Sequence, residues 1–152
     1  MFRASLLVAL CAVLLVGCGS KPKPVTKAQY EQKLQTLGAN LVKAGSEVGQ
    51  HIDISSFNED ISGLQDELKR ASKELKGVQP PADAQGPNER LADAFHDLAD
   101  TLDPVKDARR QSLREGVKAF NKALVSAPAR QGRAAVRQLQ RRGYDVGQMV
   151  SL

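Results

Sequence analysis

Residues 56–78 read SFNEDISGLQDELKRASKELKGV. Phe57, Ile61, Leu64, Leu68, Ala71 and Leu75 follow one another in alternating steps of four and three. That spacing draws one apolar stripe down an α-helix and cannot be accommodated by the two-residue period of a strand. Ser56 with Glu59 three residues on is a capping-box pattern, in which each side chain takes the other's free backbone N–H. Ile54, just before it, is placed to staple the first turn. Lys69, Arg70, Lys73 and Lys76 crowd the far end, where the helix dipole favours cations. Gly77 and the Pro80–Pro81 pair then stop the helix. A stripe on one face needs a partner, so this helix predicts others like it.

They are found on both sides. Upstream, Thr26 and Gln29 form a second capping box. Tyr30, Leu34, Leu37, Leu41, Ala44 and Val48 repeat the stepping, with Gly38, Gly45 and Gly49 weakening the helix towards its end near Val48. Downstream, QPPADAQG (79–86) reads as the one real loop. A third helix is expected from about Pro87, striped by Leu91, Phe95, Leu98, Leu102 and Val105. Pro104 interrupts it. One reading is a kink or tight break that leaves the halves roughly continuous, because no loop residues separate them. The other ends the helix near Leu102 and starts a new one with Asp103 as cap. The stripe resumes at Leu113, Val117, Phe120 and Leu124. A last helix is expected from about Pro128 to Arg142, with Gly143 as its stop. Tyr144, Val146, Met149, Val150 and Leu152 form a tail apolar enough to pack back. The predicted fold is all-α: an up-and-down bundle of three to four helices plus a short C-terminal helix.

Charge is distributed unevenly. Residues 53–103 carry 12 acidic and 5 basic side chains, whereas residues 104–152 carry 3 acidic and 11 basic. Attraction between an acidic and a basic helix would help set their pairing. Arg130, Arg133, Arg137 and Arg141 line one side of the last helix, with Arg142 beside them. Either the acidic helices of the same chain satisfy this row, or it faces an external anion such as lipid headgroups or an anionic envelope polymer.

The amino end carries a different signal. Residues 1–18 are MFRASLLVALCAVLLVGC, with Arg3 near the start and eleven consecutive apolar residues from Leu6 to Val16. At about 1.5 Å per residue that run is about 16 Å long, half a bilayer core and the length of an export signal's apolar region. Leu15-Val16-Gly17-Cys18 resembles the bacterial lipobox at all four positions. The resemblance implies cleavage after Gly17 and a diacylglycerol thioether on Cys18, followed in many such proteins by an N-linked acyl chain such as palmitate. It divides the chain into a signal peptide (1–17), a lipidated N-terminus and linker (18–25) and a helical domain (26–152). GSKPKPV (19–25) is an extended tether, kept from helix by its prolines. The resemblance places the protein on a bacterial cell membrane or outer membrane, facing the periplasm or exterior. Gly19 lacks the aspartate associated with inner-membrane retention in some two-membrane bacteria. Of the two cysteines, Cys11 leaves with the signal and Cys18 takes the lipid, so no thiol remains for disulfides, metal or catalysis.

Residues for catalysis are few. His51 lies between helices. His96 and Asp100 are one turn apart and could offer two metal ligands, one short of a useful site. Carboxylate pairs such as Asp93 and Asp97 fall on expected solvated faces. There is no phosphate-binding glycine loop and no nucleophile elbow. The sequence therefore predicts a non-enzyme that needs no cofactor. In architecture it resembles small helical lipoproteins of bacterial envelopes. Its expected partners are the membrane, through the anchor, and an envelope protein or anionic component. Nucleic acid is disfavoured by export. The alternatives are a small-ligand or metal carrier with a site near His96, and a self-associating homodimer.

Overall fold

A computed structural model describes residues 24–50 and 56–151. Among these, all regular structure is helical. The α-helices are α1 (Lys27–Gln50), α2 (Ser56–Gly77), α3 (Gln85–Asp100), α4 (Asp103–Gln111), α5 (Leu113–Leu124) and α6 (Ala127–Arg141). Two 3-10 segments, Ala82–Ala84 and Gly147–Ser151, complete them. Cys18, Gly17, the rest of the signal, His51, Ile54 and Leu152 lie outside the described residues.

The stripes form the core. Tyr30, Leu34, Leu37 and Leu41 of α1 are buried with Phe57, Ile61, Leu68, Ala71 and Leu75 of α2 and with Leu91, Phe95 and Leu102. Each fully buried large side chain of this kind contributes about 1.5–3 kcal/mol before chain entropy is counted. The Thr26 box closes as the spacing requires. The Thr26 N–H donates to Gln29 Oε1 at 3.0 Å, and the Gln29 N–H donates to Thr26 Oγ1 at 3.3 Å.

Helix direction follows from the cross-links between helix ends. The Val25 N–H donates to the Gln79 carbonyl at 2.9 Å, joining the start of α1 to the end of α2. Buried Asn88, at the start of α3, accepts from the Tyr30 hydroxyl at 3.0 Å and donates to the Leu75 carbonyl at 2.9 Å. Arg90, near the start of α3, donates to Gln138, near the end of α6. Successive long helices α1, α2, α3 and α6 therefore run up and down. The final 3-10 segment lies along α1. Gly38 permits this, since a Cβ there would meet Met149 Cγ at 2.8 Å and the Met149 backbone nitrogen at 2.9 Å. Gly143, at φ +75°, turns the chain out of α6. The Tyr144 N–H reaches the Leu139 carbonyl and the Gly143 N–H that of Gln140, the paired bonds of a Schellman stop.

Four details differ from the sequence expectation. The 79–86 loop is shorter, because Ala82–Ala84 already coils and α3 starts at Gln85 rather than Pro87. The break at Pro104 is two turn residues, Thr101 and Leu102, and α4 starts at Asp103 with Pro104 in its first turn. A second break falls at Ser112, where the backbone is extended (φ −168°, ψ 158°) and the hydroxyl caps α5 by accepting from the Glu115 N–H. As a result α4 and α5 pack on each other as a short hairpin. Their approach depends on Gly116, whose added Cβ would lie 3.1 Å from Arg109 Cβ. Finally, the last α-helix is a full bundle member of 15 residues, and the short C-terminal element is the 3-10 segment.

Candidate functional site

The bundle does not close between its first and last helices. Leu41 and Gly45 of α1 face Ala129, Gly132, Arg133 and Val136 of α6 across a cleft of about 190 Å³. Leu64, Leu68, Ala94 and Phe95 of α2 and α3 also line it, as do Met149 from the C-terminal segment and Phe120 and Leu124 from α5. The space arises from small side chains at helix-facing positions. A Cβ on Gly45 would meet nothing within 4 Å, and one on Gly132 would meet only Ala94 Cβ, at 3.6 Å. An engineered apolar cavity of about 150 Å³ stays dry and takes a benzene-sized guest, so this cleft is of ligand size.

Its chemistry is simple. Of the described lining residues only Arg133 is polar. The Arg133 guanidinium donates to the Leu124 carbonyl at 3.2 Å, which ties α6 to the end of α5. No acid, imidazole, hydroxyl or thiol lines the cleft among the described residues. The site can shelter hydrocarbon beside one cation; it offers no group to move a proton or attack a carbonyl.

The arginine row is divided by the fold. Arg130 donates to the Val125 carbonyl at 2.6 Å and, with Arg133, satisfies the C-terminal end of α5. Arg137, Arg141 and Arg142 are exposed further along. For Arg130, Arg137, Arg141 and Arg142, no described carboxylate of α2 or α3 lies within salt-bridge distance, contrary to the intramolecular pairing that the charge pattern suggested. The reason is angular. The buried face of α6 carries Ala129, Gly132, Ala135, Val136 and Leu139, and residues one position later point about 100° away. The acidic side chains are used elsewhere: Asp93 pairs with Lys76 at 2.9 Å and Glu74 with Lys33 at 2.9 Å.

His96 Nε2 stands 3.9 Å from Asp100 Oδ2, with both side chains more than half exposed. The spacing therefore brings them together as expected. No cluster of three metal-ligating side chains occurs among the described residues. A wider depression of about 510 Å³ beside the α2–α3 connection is lined by Lys76, Gln79, Gln85, Asn88 and Glu89 and is more polar. At the end of the bundle where α1 starts, Tyr144 packs edge-on against Tyr30 with centroids 5.6 Å apart and donates its hydroxyl to Asp83. Burial, and then that hydrogen bond, push the Tyr144 phenol up to about 12. Burial raises Tyr30 further still, with the neighbouring Tyr144 adding to it.

Sequence reasoning did not find the cleft. The available signal was small residues (Gly45, Ala94, Ala129 and Gly132) on faces that otherwise carry the core. No helix of the described residues is long and apolar enough to cross a membrane. No protein-family model matches the chain, and no curated protein or solved structure matches it either.

Proposed function

We propose that the chain is a lipid-anchored protein of a bacterial envelope whose helical bundle is a non-catalytic binding module. The observation that carries the binding reading is the apolar cleft between α1 and α6, flanked by the arginines of α6. A core built only for stability would fill that space, since close packing is the rule in protein interiors. The lipobox resemblance at Leu15-Val16-Gly17-Cys18 supports the location. Cys18 is the lipid attachment residue and Gly17 precedes the cut. Arg137, Arg141 and Arg142 are the candidate contacts for an anionic envelope component or the acidic face of an envelope protein.

The anchor is tested by replacing Cys18 with Ala and fractionating cells. Loss of lipid labelling and release from membranes is the expected result. Unchanged membrane retention would overturn the anchor.

A second reading, self-association, has its own observation. Val117, Leu124 and Val125 on and just after α5 are 42%, 41% and 61% exposed, an apolar strip on one side of the molecule. The carrier reading near His96 is best supported in its small-ligand form, because Phe95, next to His96, lines the cleft.

A further inference from the structure

We propose that the cleft between α1 and α6 holds the hydrocarbon chain of a single-chain amphiphile with a carboxylate head, placed against Arg133. This rests on the membrane-anchored reading for the source of the ligand, since a bundle tethered to a bilayer meets such molecules at its surface.

Three observations converge. The walls are hydrocarbon from five helices and the C-terminal segment, which suits a chain and gives a polar ligand nothing to bond. The volume, about 190 Å³, suits part of one chain and is too small for a two-chain lipid. The sole polar side chain of the lining is that of Arg133, whose guanidinium is held at the end of α5 by the Leu124 carbonyl, with Arg130 one turn earlier in the same row. A guanidinium's planar fork matches a carboxylate, and its charge does not titrate away. Helix α5 contributes Phe120 and Leu124 to the wall. That helix packs chiefly on α4 rather than on the bundle. Its apolar residues Val117 and Leu124 remain about two-fifths exposed. A chain entering beside Leu124 would bury more of this strip.

The test uses the full lipidated chain in neutral phosphatidylcholine vesicles. The probe is a hexadecanoate carrying a mid-chain photoreactive diazirine, and labelled residues are mapped by mass spectrometry. Labelling of Leu98, Phe120 or Met149 is expected. Labelling confined to the outer side of α5 would show surface partitioning and overturn the proposal. A Cβ on Gly45, which lines the cleft, would meet nothing within 4 Å, so Gly45→Leu is the variant chosen to occupy the space. It should abolish cleft labelling while leaving the melting temperature unchanged or raised, because leucine also favours helix over glycine. Persistent labelling in that variant contradicts the proposal. Arg133→Gln should weaken labelling by the carboxylate about tenfold, and labelling by the matching long-chain alcohol less than about twofold. Equal losses for acid and alcohol would mean that Arg133 only holds α5 in place, and would overturn its role as the head-group contact. Membrane retention without cleft labelling overturns this inference and leaves the anchor reading standing. Cleft labelling of a protein whose native form proves to carry no lipid leaves the cleft assignment standing and overturns the anchor.

Discussion

Tyr144 links three parts of the chain that are far apart in sequence. Its ring meets Tyr30 of α1, the Lys27 ammonium lies 5.3 Å from its centroid, and its hydroxyl donates to Asp83 between α2 and α3. Burial and that bond favour the protonated phenol, so its pKa rises from 10.0 to about 12. An acid whose pKa is raised by folding stabilises the fold fully below its unfolded value. The contribution is lost as pH climbs through the folded value. Tyr30 is shifted in the same direction. The melting temperature should therefore hold up to about pH 10 and fall between about pH 10 and 12. Tyr144→Phe should make that fall shallower. A decline equally steep in the variant would contradict the assignment. None of this was readable from the sequence, which showed only that the tail was apolar enough to pack back. The partners of Tyr144 are set by the Schellman turn at Gly143 and by the close approach of Met149 to Gly38. Gly38 looked like a weak point in α1; it is the place where α1 admits the backbone of another segment.

At the scale of the element, the four-and-three stepping identified α1, α2 and α3 and named most of the large apolar side chains they bury, but it missed the small and polar ones, such as Gln65, Asn88, Ala92 and Ala94. It succeeded there because each of these helices packs a full face on neighbours, so the pattern is imposed by burial. The same stepping misled for α5. Leu113, Val117, Phe120 and Leu124 make an equally regular stripe, yet Val117 and Leu124 are about two-fifths exposed and Gly116 and Ala123 are buried instead. Periodicity reports that a helix has an apolar face and is silent on whether anything covers it. The break that turns α5 back on α4 was nonetheless written in Ser112 and Glu115, a capping-box spacing of which the structure forms the Ser112 half. Calorimetry separates the two kinds of stripe. Leu75→Ala, at a fully buried position of α2, should cost about 2–5 kcal/mol. Val117→Ala should change stability by no more than about 0.5 kcal/mol. Similar losses at both sites would mean that α5 is packed as tightly as α2.

The described part of the molecule is a bundle with one seam left open, and the proposed reading adds an export signal and a short tether ahead of it. The asymmetric charge, acidic in the middle and basic at the end, suggested that the arginines of α6 answer the acids of α2 and α3. Helix α6 does pack on α3, but through alanine, glycine, valine and leucine, with Arg137, Arg141 and Arg142 turned aside. Charge composition could not reveal this, because it fixes how many charges a helix carries and not the angle at which they leave it. The cleft was hidden for a related reason: it belongs to no single helix, and is made where small residues of α1, α3 and α6 meet. The turned arginines and the open seam both lie on a bundle that the tether would hold near a bilayer. The cleft carries the binding reading, and location decides which ligands it would meet. The most direct test is the intact mass of the protein purified from its own envelope. A chain that begins at Cys18 and carries the added mass of a diacylglycerol thioether is the predicted result. A chain that retains residues 1–17, or begins at Cys18 with a free thiol, would contradict it.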